Sequence, residues 1–433
     1  MTPPSTHPIQ ADIPFRPTEE VLPNGATLVC LPMPNEHLLR MDVCFPGGRS
    51  LQDAPLQAQL AISQLGEGSR RYPSTRVAER LDYYSATLQT TCNFCIAGLS
   101  LICLPRFLPR IQPILRSLLD EPSYGRRRLH QAVDTARANW LIARQRVDKV
   151  ANKALFGHIF PPGNPLAHQL EERHFSQITP ALLRSYHDHA FCASHATIFL
   201  TGALAPDSEQ HVRNALGTDP WGGRHPAPIR WPDLPQSPAC YTRYDEPMPT
   251  VTVQSALRMA FLLPPLNHPD MPLLRLAGTI LGGYFGSRLM SNIREDKGYT
   301  YHIGNQMLQY PGGTLLVIAT EVGSSFTEQT ITEILREIQR MADQPVPDDE
   351  MSLVKNYLSG RACRQYEPHI SLTDLLISLH YSRRTIDGLL AENQALQGAT
   401  AGDVQRVVRQ YFNPEHAICC VAAGLPPELP KTR

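Results

Sequence analysis

The sequence carries no surplus of either charge: Lys+Arg and Asp+Glu each number 40 in 433 residues, so the formal net charge is zero. A dedicated nucleic-acid binder needs a basic excess to neutralise phosphates, and this balance argues against that class. No apolar run reaches the roughly 18 residues that a membrane-spanning helix requires. The leading segment Met1–Phe15 lacks the basic and apolar regions of a secretory signal. The expected location is therefore the cytoplasm. What the chain has in quantity is hydrophobic residues, 42%, and 40 prolines spread through connecting segments, which fits several cores joined by stiff loops.

The ten cysteines are scattered through mostly apolar stretches and read as small buried hydrophobes in a reducing compartment. Cys92-Asn-Phe-Cys95 has the spacing of a zinc or redox pair. It falls inside Thr87–Cys103, a run with strand character, where an offset of three places the thiols on opposite faces. No second such pair completes a four-ligand site.

The clearest organisational signal is internal repetition. Ile178–His195 is followed by an apolar segment, Ala196–Leu200, and Gly202; Ala399–His416 is followed by Ala417–Val421 and Gly424. Thr179 and Thr400 are suitable helix N-caps, and Pro180 suits the first helical position. Leu182, Leu183 and Tyr186 in one copy, and Val404, Val407, Val408 and Tyr411 in the other, have helical spacing. Each copy reads as a capped amphipathic helix, a polar turn and a buried strand. The copies lie about half a chain length apart, so two homologous domains are expected at 15–218 and 250–428, joined by a Pro-rich linker at 219–249. Strands are expected at Ala26–Leu31, Leu38–Phe45 and Val251–Leu263, helices at Leu56–Leu65 and Met271–Ile293, and a hairpin over Tyr299–Met307 and Thr314–Val322. This order, without regular βαβ alternation, predicts an α+β fold of two largely antiparallel sheets packed with helices.

Four segments resemble the insulinase/pitrilysin family of zinc peptidases, in its smaller form related to mitochondrial processing peptidase subunits. They are Leu22–Val29, Phe45–Ser50, Tyr186–Gly202 and, most specific, Leu281–Tyr301. The resemblance implies a duplicated metallopeptidase-like fold. It also implies a helix bearing His-x-x-Glu-His, whose histidines bind zinc and whose glutamate activates water. Anchored on Gly68-Ser69, that motif falls on Gln59, Ile62 and Ser63, so both ligands and the acid/base are replaced. No histidine lies between His37 and His130, and no glutamate between Glu121 and Glu171, where the third ligand near Asn139 is expected. No metal is expected on this chain.

The second-half signature is retained. Active family members use an Arg and a Tyr seven residues later to hold substrate and stabilise its developing oxyanion; Arg294 and Tyr301 have that spacing. A guanidinium and a phenol supply the donors such chemistry needs. Read without the resemblance, Arg294 would pair with Glu295 or Asp296 and Tyr301 would pack beside the sheet. Other clusters read as structural: His187 and His189 diverge on a helix, His158, His168 and His174 fall in a loop region, and Arg126–Arg128 forms a polar helix start.

The resemblance thus implies the zinc-free subunit of a heteromeric metalloendopeptidase, with Arg294 and Tyr301 acting on peptide substrates in trans to a zinc-bearing homologous partner. The alternative is a scaffold or peptide-binding subunit without chemistry. Two pseudo-equivalent halves are also compatible with a homodimer of the isolated chain.

Overall fold

The computed structural model describes residues 16–226, 235–248, 252–366 and 369–424, with 13, 229, 231 and 250. Phe15, residues 425–428 and part of the expected linker lie outside the described residues.

Two sheets dominate. The first contains β1 (Thr18–Val21), β2 (Thr27–Pro32), β3 (Leu39–Pro46), β4 (Thr87–Cys92), β5 (Ile96–Cys103) and β6 (Thr197–Gly202), in the order β1-β2-β6-β3-β5-β4. The second contains β7 (Thr242–Pro247), β8 (Gln254–Leu263), β9 (Thr300–Tyr310), β10 (Gly313–Gly323) and β11 (Ile418–Ala423), in the order β7-β11-β8-β10-β9. The second order repeats the first without β1. In both, one parallel pair (β2/β6, β7/β11) adjoins antiparallel neighbours. The α+β architecture with two largely antiparallel sheets is therefore present, and the repeated helix-strand unit ends in the equivalent strands β6 and β11.

Strand alternation splits each sheet into two apolar faces. In the first, Leu28, Met41, Val43, Phe45, Ile198 and Leu200 face a core shared with helices from their own half. Val29, Leu31, Cys44 and Phe199 point the other way, against Leu372, Leu375, Leu376 and Leu379 of the helix His369–Tyr381. The second sheet mirrors this: Leu257, Met259, Phe261, Leu316 and Ile318 face a local core. Ala260, Leu315, Val317 and Cys420 receive Ala154, Leu155 and Ile159 of the helix Val147–Ile159. Each half thus lends a helix to the other's sheet, and a buried arginine ties each crossing. Arg40 of β3 reaches Asp374 at 2.7 Å and the Ile370 carbonyl at 3.0 Å, while Arg258 of β8 reaches Asn152 at 2.8 Å.

Several expectations need correction. The run Thr87–Cys103 is a hairpin, β4 and β5, turned at Asn93, whose side chain accepts from the Cys95 and Ile96 amides at 2.8 Å. Cys92 and Cys95 therefore flank a turn rather than alternating along a strand, and burial pushes their thiols up to about 11 and about 12. The helix expected over Met271–Ile293 breaks into Met271–Gly278 and a π-helical turn, Thr279–Gly283, then resumes as Met290–Asp296. The break falls where Gly282 leaves helical geometry and Asn305 donates to the Gly278 carbonyl at 2.7 Å. The segment read as linker is partly structured at both ends: Trp221 packs against Phe45, and β7 joins the second sheet. His158 and His174 are helical, not loop residues: His158 stacks on Tyr244, and His174 accepts from the Glu171 amide in a capping box.

Candidate functional site

The helix Gln57–Ser63 carries the degenerate motif positions. Gln59 is exposed, Ile62 is 1% exposed within the first core, and the Ser63 hydroxyl donates to the Leu60 carbonyl at 3.3 Å. An exposed amide, a core aliphatic and a hydroxyl spent on its own helix do not fit zinc, which takes thiolate, imidazole or carboxylate ligands. Among the described residues no group of three His, Cys, Asp or Glu side chains converges as a ligand set. His187 is buried, with its Nε2 on the Leu119 carbonyl at 2.8 Å, and His189 bonds the Ser185 carbonyl instead. Burial lowers the His187 pKa, holding the ring neutral.

Arg294 and Tyr301 are built from the segment after the Gly282-Gly283 break. The helix Met290–Asp296 stops at Gly298, whose φ of +65° is the left-handed conformation that glycine adopts at low cost. The reversing chain is pinned by Lys297 N to the Asn292 carbonyl, 3.2 Å, and Tyr299 N to the Ile293 carbonyl, 3.0 Å. The Tyr299 ring stacks on Phe326 with centroids 4.6 Å apart. Beyond it, β9 pairs with β10 through a register shift: Ile303 faces Thr320 while Thr300 faces Val322. Tyr301 and His302 together oppose Glu321, a β-bulge that re-aims side chains at a sheet edge. Thr300 Oγ1 holds the bulge by donating to the Glu321 carbonyl at 2.6 Å.

The bulge leaves Tyr301 91% exposed on the edge strand rather than packed beside the sheet. It borders two depressions, ≈ 630 Å³ beside Arg294 and Glu295, and ≈ 730 Å³ beside Arg146 and Val147. Arg294 lies over the exposed Phe285 ring at 4.8 Å and contacts Glu295 at 3.7 Å. That ion pair is half exposed and weak, so the guanidinium keeps donors free for a ligand carbonyl. The structure thus brings Arg294 and Tyr301 to one depression. Gln59, Ile62 and Ser63 lie on a helix that packs with other first-half elements.

Sequence reasoning missed the groups that hold this segment. Asn292 donates to Glu333 at 3.1 Å and Glu337 at 2.7 Å and accepts from Lys297 at 2.6 Å. Arg288 makes a bidentate pair with Glu350 at 2.9 and 2.7 Å. Burial pushes the Glu333 carboxyl up, but hydrogen bonds from Asn292 and Lys297 outweigh it and hold its pKa below the usual range. The polar residues of Ser291–Lys297 were the available signal, since an amide and charges interrupt an otherwise apolar helix.

Comparison with known proteins places these features. Residues 177–358 match the family profile described as the peptidase M16 inactive domain. The uncharacterized zinc protease YmxG of Bacillus subtilis is 23% identical over 177 residues, 40% of this chain and 42% of that protein, so the alignment spans less than half of that relative. The peptidase M16 inactive domain from Pseudomonas fluorescens superposes with a TM-score of 0.84 at 20% identity, covering 96% of this chain and 100% of the other. A protease from Helicobacter pylori gives 0.83 at 12% identity, covering 94% and 99%. The periplasmic protease PqqL from Escherichia coli gives 0.77 at 14% identity; 98% of this chain covers 48% of PqqL, about half its length. At these identities the solved structures establish a shared fold. Among the described residues no helix is long and apolar enough to cross a membrane. The profile match at 177–358 and the superposition over nearly the whole duplicated fold make the chain similar to the M16 peptidases, with residues 177–358 matching that family's inactive domain.

Proposed function

We propose that this chain is the zinc-free subunit of a heteromeric M16 peptidase, completing the active site of a zinc-bearing homologous partner. The observation that carries this reading is the exposed Tyr301, set out by a bulge beside Arg294, in a chain whose helix Gln57–Ser63 offers no metal ligands. In the complex the metal and the attacking water belong to the partner. This chain supplies a guanidinium N–H from Arg294 and the phenolic O–H of Tyr301 to the substrate carbonyl oxygen, where negative charge develops. The substrates would be extended peptides. The ten cysteines, none of them disulfide-bonded, fit the reducing cytoplasm.

The test is reconstitution with an M16 homologue from the same genome that carries His-x-x-Glu-His. The mixture should cleave peptides while this chain alone does not, and Tyr301→Phe or Arg294→Ala should each lower kcat by about 10²–10³. Co-elution on size exclusion with activity indifferent to both variants would instead favour the scaffold reading.

A further inference from the structure

A cavity of ≈ 600 Å³ opens on the seam between the halves. Cys44 lines it, so it lies on the face of the first sheet turned away from the local core and the helix Gln57–Ser63. Its walls are the β4–β5 turn with Phe94, Phe156 from the helix Val147–Ile159, Leu308 of β9, and Ile377 and Tyr381 of the helix His369–Tyr381. The volume falls in the range of small-molecule sites, which are mostly apolar with a few fixed polar groups.

Arg49 is the polar group that sets this cavity apart. Its guanidinium lies 4.4 Å from the Phe94 ring centroid, and its Nε is fully covered by protein without a hydrogen-bond partner. Among the described residues no carboxylate pairs with it. Asp42 and Asp374 line the same cavity, but both are held by Arg40, at 2.8 and 3.0 Å and at 2.7 Å respectively. Burial lowers the Arg49 pKa, and the titratable neighbour acting on it is the Cys92 thiol rather than an acid. The Tyr381 hydroxyl, near Thr197, also lacks a well-formed hydrogen bond. Arg40 and Arg258 show the usual arrangement by contrast, each satisfied by a carboxylate and a backbone carbonyl. An arginine with a covered, unpaired Nε and no counter-ion, its other nitrogens reaching the cavity mouth only in part, calls for an explanation.

We infer that this cavity binds a small apolar carboxylate. Its carboxylate is held by Arg49, and its hydrocarbon or aromatic body packs against Phe94, Phe156, Leu308 and Ile377. A monoanion matches the single free guanidinium. A phosphate dianion would bring a second charge toward Asp42 and Asp374. Arg49 suits the role because its planar fork meets a carboxylate with two parallel hydrogen bonds. The occupant would touch elements of both halves, among them β9, which carries Tyr301 at its other end.

The probes are 4-phenylbutyrate and its uncharged analogue 4-phenylbutanol, titrated calorimetrically into the full chain and followed by thermal unfolding. The acid should bind more tightly than the alcohol and raise the melting temperature. Arg49→Met should weaken the acid by roughly 10–100-fold, the range of a charge-assisted hydrogen bond, and leave the alcohol unchanged. Ile377→Trp, which fills the cavity and keeps the arginine, should weaken both probes and serves if Arg49→Met does not fold. Equal affinity for acid and alcohol, no binding of either at millimolar concentration, or an acid affinity untouched by both variants would overturn the inference.

Discussion

Replacing Asn292 by alanine tests whether the Arg294 segment is held by the buried amide–carboxylate cluster beneath it. Asn292 makes two donated bonds, to Glu333 and Glu337, whose side chains are 9% and 3% exposed. Hydrogen bonds to charged acceptors contribute about 1.5–3 kcal/mol each. The sum is not reached, because Glu333 keeps Lys297 at 3.1 Å and Arg336 at 2.6 Å, and Glu337 keeps Arg340 at 2.9 Å. The expected loss is therefore about 2–3 kcal/mol. It should appear as an earlier urea transition and as faster amide exchange in residues 290–301. The pH dependence has a definite sign. Glu333 has a depressed folded-state pKa, so its contribution is present above the unfolded-state value near 4.5 and fades as pH falls through the folded value. The difference between wild type and variant should accordingly shrink as pH falls below the unfolded-state value near 4.5. Asn292→Asp, equal in size, adds a third carboxylate and should cost more than alanine at pH 7 but not at pH 4. A shift below about 0.5 kcal/mol for Asn292→Ala, or one indifferent to pH, would refute the reasoning.

Further outcomes follow from the same geometry. Ile62→Val should cost about 0.5–1.5 kcal/mol. Ile62→Glu should cost more, and its penalty should be larger at pH 8 than at pH 5, because burial raises the pKa of an introduced carboxyl; urea titrations at the two pH values check both. Thr400→Ala removes the cap on the Asp403 amide and should cost about 1 kcal/mol, with Thr400→Ser close to wild type in thermal unfolding. In thiol labelling of the native chain at pH 8, the exposed Cys240 should react in the fastest phase, which Cys240→Ser removes. Cys30, Cys103 and Cys420, pushed up to about 12 by burial, should react only on unfolding.

Much of the fold was legible because its signals are local. Thr179 and Thr400 cap the helices their sequences mark, Pro311-Gly312 turns the β9–β10 hairpin, and the repeated helix-strand units end in equivalent strands. The misreadings arose where tertiary contacts override local pattern. Asn93 can close a turn that an apolar run conceals, and Gly282-Gly283 can break a helix whose periodicity continues on both sides. At the candidate site, residue spacing pointed to Arg294 and Tyr301. It could not show the bulge at Tyr301-His302, because a bulge depends on the register of β10. Nor could it reveal Arg49, whose isolation is defined by acids committed elsewhere to Arg40.

The exchanged helices have a consequence for how the polypeptide can be divided. Severing the backbone between residues 226 and 235 would leave both pieces clasped, since Leu375, Leu376 and Leu379 would still cover Val29 and Phe199, and Leu155 and Ile159 would still cover Val317 and Cys420. Two fragments made in separate cells would behave otherwise. Each would carry an uncovered apolar sheet surface and an arm with nothing to grasp, and each would be rescued from aggregation by its counterpart.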